Sequence, residues 1–158
     1  MIASVVQEAK RGLPRLLEVC AALLGLVIAL PVLAAAAIAV RLTSLGPILF
    51  RQERVGRAGR LFVINKLRTM RVNHGGLGVT VSDDARVTGV GRVLRKTKID
   101  ELPTLWHVVR GEMSLVGYRP EVPRYVDQSD PLWREVLQAR PGLTDPSALN
   151  LRNEEELI

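Results

Sequence analysis

Residues 19–40 read "VCAALLGLVIALPVLAAAAIAV", and no charged side chain interrupts them. As an α-helix this run would be about 33 Å long, at about 1.5 Å per residue. The hydrocarbon core of a bilayer is about 30 Å thick, so a helix of this length can cross it. The run therefore predicts a membrane-embedded helix near the start of the sequence.

Three topologies compete for this run. In the first it is a cleaved signal peptide, with Lys10, Arg11 and Arg15 as the basic region and cleavage sites of A-x-A type within residues 35–39. Its length argues against that alternative, because the apolar core of a signal peptide is shorter. The second is a straight transmembrane anchor, and the third is a helix that enters the membrane, bends and leaves on the same side.

Basic residues flank the run on both sides. Lys10, Arg11 and Arg15 precede it, and the following basic residues are Arg41, Arg51, Arg54, Arg57 and Arg60. Positive flanks favour the cytoplasmic side, so a re-entrant helix would keep both inside. Pro31 cannot donate to the carbonyl of Val27, which predicts a kink. Because prolines also occur in ordinary spans, these residues leave re-entry and spanning as equal alternatives.

The composition indicates an anionic partner. The chain has 158 residues, with 22 Lys and Arg against 16 Asp and Glu, which gives a net charge of +6. Nucleic acid, acidic lipid and a phosphorylated substrate all suit that balance. Aromatic residues make up only 4%, which argues against a protein that stacks single-stranded bases. The single Cys20 excludes an internal disulfide, and its apolar surroundings predict a buried side chain.

Short elements are expected after the apolar run. Residues 47–56, "PILFRQERVG", and residues 60–70, "RLFVINKLRTM", predict two strands joined by a hairpin turn at Gly56 and Gly59. Residues 71–86 are glycine-rich and predict a loop, in which His74 has no partner at metal-ligand spacing. The chain length suggests one domain with an appendage.

Three later segments carry helical patterns. Residues 87–99 predict a short helix, and apolar residues at helical spacing predict another from Asp100 to about Val109, which Gly111 would end. Trp106 is predicted to lie in the core. Residues 131–139, "PLWREVLQA", predict a helix that Trp133 packs against the body or the membrane face.

Asp100 and Glu101 stand side by side at the start of the second of these helices, just before Pro103. Pro103 fits only near a helix start, since no backbone donor is needed there. One interpretation is structural: acids favour the positive end of a helix dipole, and Thr97 with Asp100 resembles a capping box. On these residues alone, the structural interpretation is the better supported one.

The surrounding cations favour a chemical role. Basic residues lie just before the pair and just after the helix, namely Arg92, Arg95, Lys96, Lys98, Arg119 and Arg124. A helix N-terminus with several cations can bind phosphate. A carboxylate there can attack phosphorus or hold a Mg²⁺ ion that bridges phosphate oxygens. The alternative is a solvated or lipid-facing basic surface.

Three segments in this order carry a specific resemblance. They are residues 46–70, "GPILFRQERVGRAGRLFVINKLRTM", residues 86–125, "RVTGVGRVLRKTKIDELPTLWHVVRGEMSLVGYRPEVPRY", and residues 140–145, "RPGLTD". Together they closely resemble the bacterial sugar transferases, the monotopic phosphoglycosyl transferases that start surface-glycan assembly on a polyprenol carrier. The resemblance runs from about residue 13 to residue 146.

The resemblance implies an activity and a set of site residues. A sugar phosphate would pass from a UDP-sugar to undecaprenyl phosphate, with release of UMP, in a ping-pong reaction that needs Mg²⁺. Asp100 matches the family nucleophile, and Glu101 matches its partner in the metal site. Arg95 matches a phosphate contact, and Tyr118-Arg119-Pro120 matches a Pro-Arg-Pro motif linked to nucleotide recognition. Weaker candidates for the anionic pocket are Lys66 and Arg68.

The resemblance also implies an architecture. The expected fold is α/β (α+β), with a re-entrant membrane helix in residues 1–44, broken at Leu30-Pro31, and a small mixed helical catalytic domain with a short β-hairpin in residues 45–158. The catalytic domain would lie on the cytoplasmic face of the bacterial inner membrane. Its partners would be the UDP-sugar, undecaprenyl phosphate and membrane lipid, with no nucleic acid. A homo-oligomer is one alternative for its assembly.

Three features depart from the family pattern. Leu30 stands where the family has a serine, Tyr118 stands in place of a proline, and relatives continue past residues 152–158, "RNEEELI", so a C-terminal truncation is expected. Two functions of other classes remain as alternatives. One is a nucleic-acid-binding module with a membrane anchor, and the other is a non-catalytic scaffold of a glycan-assembly complex.

Overall fold

The computed structural model describes residues 13–71, 84 and 86–145. The predicted loop is therefore described only at its ends, and His74 and residues 152–158 lie outside the described residues. Short helices and two small sheets follow one long helix, which confirms the expected mixed α and β architecture. The elements, in chain order, are α1 (Arg15–Thr43), β1 (Leu49–Val55), a 3-10 turn (Arg57–Gly59), β2 (Leu61–Leu67), α2 (Gly89–Lys96), a 3-10 segment (Ile99–Thr104), α3 (Leu105–Arg110), β3 (Ser114–Val116), a second 3-10 turn (Pro123–Tyr125), α4 (Pro131–Val136) and β4 (Gly142–Thr144).

The chain forms two compact units. The first unit contains Met1–Leu24, Gln52–Ile64 and Leu105–Ile158, and the second contains Gly25–Arg51 and Asn65–Thr104. Helix α1 contributes its first part to one unit and the rest to the other. The predicted division after residue 44 stays a prediction.

Helix α1 is longer than the apolar run that predicts it, and it is helical through Pro31. By length and composition it could cross a membrane, and only 17% of its most apolar stretch of 18 residues is buried. Its exposed large side chains include Leu16, Leu24, Val27, Ile28, Leu30, Ile38 and Leu42. An apolar surface of this extent is unfavourable in water and marks a membrane or partner contact. The bend at Pro31 and the re-entrant topology stay predictions.

Cys20 is exposed on α1, so the prediction of a buried side chain is wrong. The buried positions of α1 are Glu18, Ala22, Ala29, Ala36 and Val40, which follow one stripe at helical spacing. Cys20 lies two residues from Glu18 and Ala22, outside that stripe, so its side chain is exposed.

The predicted β-hairpin is confirmed. β1 and β2 form a two-stranded sheet, and the link of residues 56–60 is too short for a parallel crossover. The N–H of Gly56 donates to the carbonyl of Arg60 at 2.8 Å, which closes the turn. Gly59 adopts a φ of 72°, a left-handed conformation that glycine tolerates without strain.

The second unit has its core where α1, β2 and α2 meet. Ala36 and Val40 of α1 pack with Leu67 of β2 and Leu94 of α2. Partly buried apolar residues pack around them, namely Leu33, Ile48, Val90 and Ile99. This core fixes β2 and α2 against the C-terminal half of α1, within the unit that carries the carboxylate pair.

The first unit has a separate core of Val55, Tyr118, Leu137 and Ala139. Trp133 of α4 packs against it, so the prediction that Trp133 packs this helix against the body is confirmed. β3 and β4 pair in parallel within this unit, with Ser114 opposite Gly142 and Val116 opposite Thr144.

Trp106 is 50% exposed, so its predicted place in the core is wrong. Helix α3 is short and buries Leu105, His107 and Val108. Residue 106 points away from these positions because consecutive helical residues are about 100° apart. The apolar pattern predicts the helix correctly, but Trp106 lies on its uncovered side.

The first turn of α1 is bonded to α3, to β3 and to the link between them in the first unit. Arg15 Nη1 donates to the carbonyl of Met113 at 3.0 Å, and its Nη2 donates to the carbonyl of Val108. Glu18 is buried, pairs with Arg15 at 3.1 Å and accepts from the N–H of Leu115 at 3.1 Å. These residues form the Glu18 cluster. Arg15 is therefore more than a basic flank.

Candidate functional site

Asp100 and Glu101 lie in the 3-10 segment between α2 and α3. The turn into this segment passes through Lys98, whose φ of 57° is left-handed, and the N–H of Glu101 donates to the carbonyl of Lys98 at 3.2 Å. The helix predicted from Asp100 is thus a 3-10 segment that continues into α3. Gly111 has a φ of 84° and ends α3, as predicted.

The predicted capping box is absent. Thr97 closes the end of α2, where its φ of −91° and ψ of −3° are helical. Its hydroxyl donates back to the carbonyls of Val93 at 2.8 Å and Leu94 at 3.2 Å. An N-cap residue must have an extended conformation, so Thr97 cannot cap the segment that carries Asp100. The prediction is wrong because α2 ends so close to that segment.

Asp100 is a buried carboxylate with an unmet hydrogen bond. Its residue is 8% exposed, and its Oδ1 atom is buried with no hydrogen-bond partner among the described residues. Burial raises the pKa of this carboxyl above its usual value, and the charge of Glu101 raises it further. Lys66 and Arg95 oppose this shift in the pKa. A buried polar atom without a partner is unfavourable, and such atoms call for a functional explanation.

Glu101 forms an ion pair with Lys66. Lys66 Nζ lies 2.7 Å from Glu101 Oε1, and each side chain is less than a fifth exposed. Lys66 comes from β2, so the pair joins the strand to the 3-10 segment. The structure thus brings predicted site residues from two separate stretches of sequence together within the second unit.

Arg95 lies in the last turn of α2 and is half-buried. Its Nε donates to Oγ1 of Thr69 at 2.8 Å. Its positive charge lowers the pKa of Asp100, so it acts electrostatically on the carboxylate pair. Lys66, Arg95, Asp100 and Glu101 therefore form one charged cluster, which we call the carboxylate site.

Arg68 is buried and has a structural role. Its guanidinium donates to the carbonyls of Leu45 at 2.8 Å and Ser44 at 2.7 Å, and to the Ser44 hydroxyl at 2.9 Å. These bonds fix the chain just after α1. Binding of the anionic substrate by Arg68 stays a prediction, and any such contact would compete with these carbonyls.

Arg119 and Pro120 belong to the first unit. Arg119 is exposed and Pro120 is buried, and the carbonyl of Pro120 accepts from Nη1 of Arg54 at 2.9 Å. Tyr118 lies in the core of this unit, where burial raises the pKa of its hydroxyl, and its carbonyl accepts from the N–H of Gly142 at 2.8 Å. The backbone is thus held on both sides of Arg119, although Tyr118 stands in place of the first proline of the motif.

A family model described as bacterial sugar transferase matches residues 9–157. The chain belongs to this family. The match covers nearly the whole sequence, including the carboxylate site and the segment around Arg119.

Several curated proteins are similar to this sugar transferase chain. A UDP-glucose:undecaprenyl-phosphate glucose-1-phosphate transferase of Caulobacter vibrioides is 48% identical over 135 residues, which are 82% of this chain and 51% of that protein. A putative undecaprenyl-phosphate N-acetylgalactosaminyl 1-phosphate transferase of Bacillus subtilis is 41% identical over 74% of this chain and 66% of its own length. A UDP-N-acetylgalactosamine-undecaprenyl-phosphate N-acetylgalactosaminephosphotransferase of Aeromonas hydrophila is 40% identical, over 85% and 32%.

These relatives differ in the sugar they are named for and in length. The names of these relatives specify glucose for one and N-acetylgalactosamine for the other two. The chain spans between about a third and two thirds of the length of these relatives. The activity of the whole relatives is therefore taken up below as a proposal.

The carboxylate site of this sugar transferase chain fits part of a Mg²⁺ site. Among the described residues, no group of three or more His, Cys, Asp or Glu side chains could hold a metal ion. Mg²⁺ commonly takes only one or two protein carboxylates and completes its shell with water and substrate phosphates. Oδ1 of Asp100 is an oxygen ligand without another partner, so a two-carboxylate site is compatible with this geometry.

Thr69 and the Glu18 cluster were not identified from the sequence. Thr69 has no charge and lies within a strand-like run. The only sequence signal for a role in the site is its position between Arg68 and Arg71. Glu18 follows Arg15 by three residues, a spacing that permits a helical ion pair. That spacing can predict the ion pair between Arg15 and Glu18, but it does not predict their contacts with residues 113 and 115.

Proposed function

We propose that the chain transfers a sugar 1-phosphate from a UDP-sugar to undecaprenyl phosphate and releases UMP. The observation that supports this proposal best is the buried Asp100 carboxylate, whose Oδ1 has no partner, beside the Lys66–Glu101 ion pair. Membership of the sugar transferase family and the printed names of the relatives support the substrate class.

In the first half-reaction, an oxygen of Asp100 attacks the phosphorus atom that carries the sugar. The bond from that phosphorus to the bridging oxygen of the diphosphate breaks, and UMP leaves with the bond's electron pair. The product is an acyl phosphate that joins Asp100 to the sugar phosphate. A covalent intermediate of this kind divides one transfer between two bulky anions into two steps.

In the second half-reaction, a phosphate oxygen of undecaprenyl phosphate attacks the same phosphorus. The acyl phosphate bond breaks, and Asp100 is regenerated as a carboxylate. The product is undecaprenyl diphosphate bearing the sugar. One site thereby serves both substrates in turn, since UMP has left before the lipid reacts.

Charge neutralisation is the main requirement of this chemistry. We propose that Asp100 and Glu101 hold Mg²⁺, which supplies positive charge at the diphosphate when bound. Arg95 binds a phosphate oxygen, and Lys66 keeps Glu101 in place through their ion pair. Arg119, followed by Pro120, contributes to nucleotide recognition.

The topology proposal places α1 as a re-entrant helix in the bacterial inner membrane, with both ends on the cytoplasmic side. Leu13 and Leu45 flank α1 and are 55% and 88% exposed, so either can be replaced by cysteine for labelling. The background is Cys20→Ala, because Cys20 is itself exposed. A membrane-impermeant thiol reagent should label neither position in spheroplasts and both after lysis. Labelling of one position from outside would instead establish a straight span.

UMP release tests the proposed reaction. The chain, in nanodiscs, receives undecaprenyl phosphate, Mg²⁺ and a panel of UDP-sugars, beside Asp100→Asn. The matched control is Asp130→Asn, since Asp130 caps α4 through the N–H of Leu132 and asparagine caps equally well. The expected result is UMP from one or two sugars, lost only in Asp100→Asn. A folded protein that releases no UMP with any sugar would favour the scaffold alternative.

A further inference from the structure

Thr69 follows β2, and the start of α2 is hydrogen-bonded to it. The N–H of Thr88 donates to the carbonyl of Thr69 at 3.0 Å. Thr88 is also the N-cap of α2, since its hydroxyl accepts from the N–H of Gly91 at 2.9 Å. The residue that begins α2 is therefore bonded directly to the backbone of Thr69.

The first turn of α2 lies against the same backbone group. A Cβ atom at Gly91 would come within 2.0 Å of the carbonyl oxygen of Thr69, so no side chain fits there. This close approach requires glycine and fixes the register of α2 against Thr69. The position of every later residue of α2, including Arg95, is set from this contact.

The last turn of α2 also contacts Thr69, at the threonine side chain. Arg95 Nε donates to Oγ1 of Thr69 at 2.8 Å, and Thr69 is 6% exposed. Within the described residues this is the hydrogen bond that holds the Arg95 guanidinium. Because the bond uses Nε, it orients the planar guanidinium and leaves both Nη groups for an anion. A free arginine side chain would lose more rotamer entropy on binding a phosphate.

We propose that Thr69 is a positioning residue that aims the guanidinium of Arg95 at a phosphate of the nucleotide substrate. This inference rests on the proposed function, because it gives Arg95 a phosphate ligand. Thr69 does not touch the substrate and acts only through Arg95.

The test compares Thr69→Val with Thr69→Ser. Valine keeps the shape of threonine but removes the acceptor of the Arg95 Nε–H bond, whereas serine keeps that acceptor. The matched control is Thr97→Val, since Thr97 is exposed at the end of α2 and its hydroxyl contacts only helix carbonyls. Both valine changes remove a threonine hydroxyl in the second unit, but only the Thr69 hydroxyl bonds to Arg95.

The first measurement needs no turnover. The probe is UDP with Mg²⁺, added to the full chain in nanodiscs, and the readouts are its Kd and the hydrogen exchange of the Arg95 Nε–H in ¹⁵N spectra. Thr69→Val should weaken UDP binding about tenfold, in line with one hydrogen bond to a charged group. It should also accelerate exchange at Arg95. Thr69→Ser and Thr97→Val should remain within about twofold of the unchanged chain.

The second measurement is the dependence of UMP release on UDP-sugar. Thr69→Val should lower kcat/KM for the UDP-sugar about tenfold, while Thr69→Ser restores it. If UDP binding weakens as expected but the unchanged chain transfers no sugar phosphate, the positioning role stands and the proposed function fails. The two proposals therefore fail in different measurements.

Two results would overturn the positioning role. One is Thr69→Val with unchanged UDP affinity or unchanged exchange at Arg95. The other is an equal loss in Thr69→Val and Thr69→Ser, together with an equal fall in melting temperature, because serine retains the acceptor and a general packing defect would then explain both.

Discussion

Glu18 and Asp100 are both buried carboxylates, but their surroundings differ. Glu18 is 5% exposed, pairs with Arg15 and accepts from the N–H of Leu115. Asp100 is 8% exposed, and its Oδ1 has no hydrogen-bond partner in the part of the chain that the structure describes. Hydrogen bonds and an opposite charge offset the loss of water at Glu18, whereas the loss at Asp100 is only partly offset.

This difference separates a carboxylate that stabilises the fold from one that is available for chemistry. Burial by itself does not distinguish them, since both are more than nine-tenths buried. The distinguishing property is whether the carboxylate oxygens already have partners. An oxygen without a partner can bind a metal ion or attack phosphorus without first breaking a native hydrogen bond.

The largest expected effect is that of Asp100→Asn on turnover. The amide cannot act as the nucleophile, so UMP release should fall by at least about 10³-fold. The fold should be unharmed, because the substitution removes a charge that burial disfavours. Steady-state UMP release measures the loss of turnover, and a melting curve tests whether the fold is unharmed. Asp130→Asn should leave both measurements unchanged, and substantial activity in Asp100→Asn would remove Asp100 as nucleophile.

Glu18→Gln should show the opposite division between stability and activity. The neutral amide loses the ion pair with Arg15 and weakens the bond from Leu115, so the free energy of unfolding should fall by about 2 kcal/mol. Turnover per folded molecule should be retained. Chemical denaturation in detergent measures the first quantity, and UMP release normalised to folded protein measures the second.

The control for Glu18→Gln is Glu53→Gln, since Glu53 is an exposed glutamate of β1. Its stability should stay within about 0.5 kcal/mol of the unchanged chain. Equal stability of the two variants would show that the Glu18 cluster contributes nothing to the fold, and the contrast with Asp100 would then disappear.

Lys66→Met tests Glu101, a carboxylate that belongs to the carboxylate site but, like Glu18, already has an ion-pair partner. The change breaks the 2.7 Å ion pair and leaves Glu101 without its cation next to Asp100. Turnover should fall about tenfold, because the geometry of the pair relaxes and Lys66 no longer offsets the raised pKa of Asp100. Lys96→Met is the matched control, since Lys96 is exposed on α2. Equal kcat/KM values in the two variants would exclude a role for the ion pair.

The smallest expected effect is the pH dependence of stability at Asp100. Its pKa in the folded chain is raised above the usual 3.8, so the folded state binds this proton more tightly than the unfolded state. Ionised Asp100 therefore destabilises the fold at neutral pH, and protonation relieves that effect as pH falls through the raised pKa. Asp100→Asn should be more stable than the unchanged chain at pH 7, and the gap should close below pH 3.8. A gap that grows on acidification would contradict the raised pKa.

Local sequence patterns were sufficient for the elements that depend on neighbouring residues. The hairpin at residues 56–60 follows from two strand-like runs joined by a link with two glycines, and α2 and α4 follow from helical spacing. The carboxylate pair was located by motif, and its proximity to Lys66 is consistent with the weaker prediction of an anionic pocket there. These features need information from only a few positions at a time.

The errors concern surroundings that a short sequence pattern does not specify. Thr97 was expected to cap the segment of Asp100, but α2 extends to it and claims its hydroxyl. Trp106 and Cys20 have apolar neighbours in sequence, yet each lies on an exposed side of its helix. The contacts of Thr69 come from residues about 20 to 26 positions away, which no local pattern encodes.

The Glu18 cluster has a consequence for the order of events during synthesis. Glu18 bonds to Leu115, which follows it by 97 residues, and Arg15 bonds to Met113, which follows it by 98. At about 5–20 residues per second, the ribosome needs roughly 5–20 s to reach these partners after it has added Arg15 and Glu18. Helix α1 is thus translated before its partners and receives these contacts late. A nascent chain that stops before residue 108 leaves the first turn of α1 without these partners, and quality-control proteases would meet it in that state.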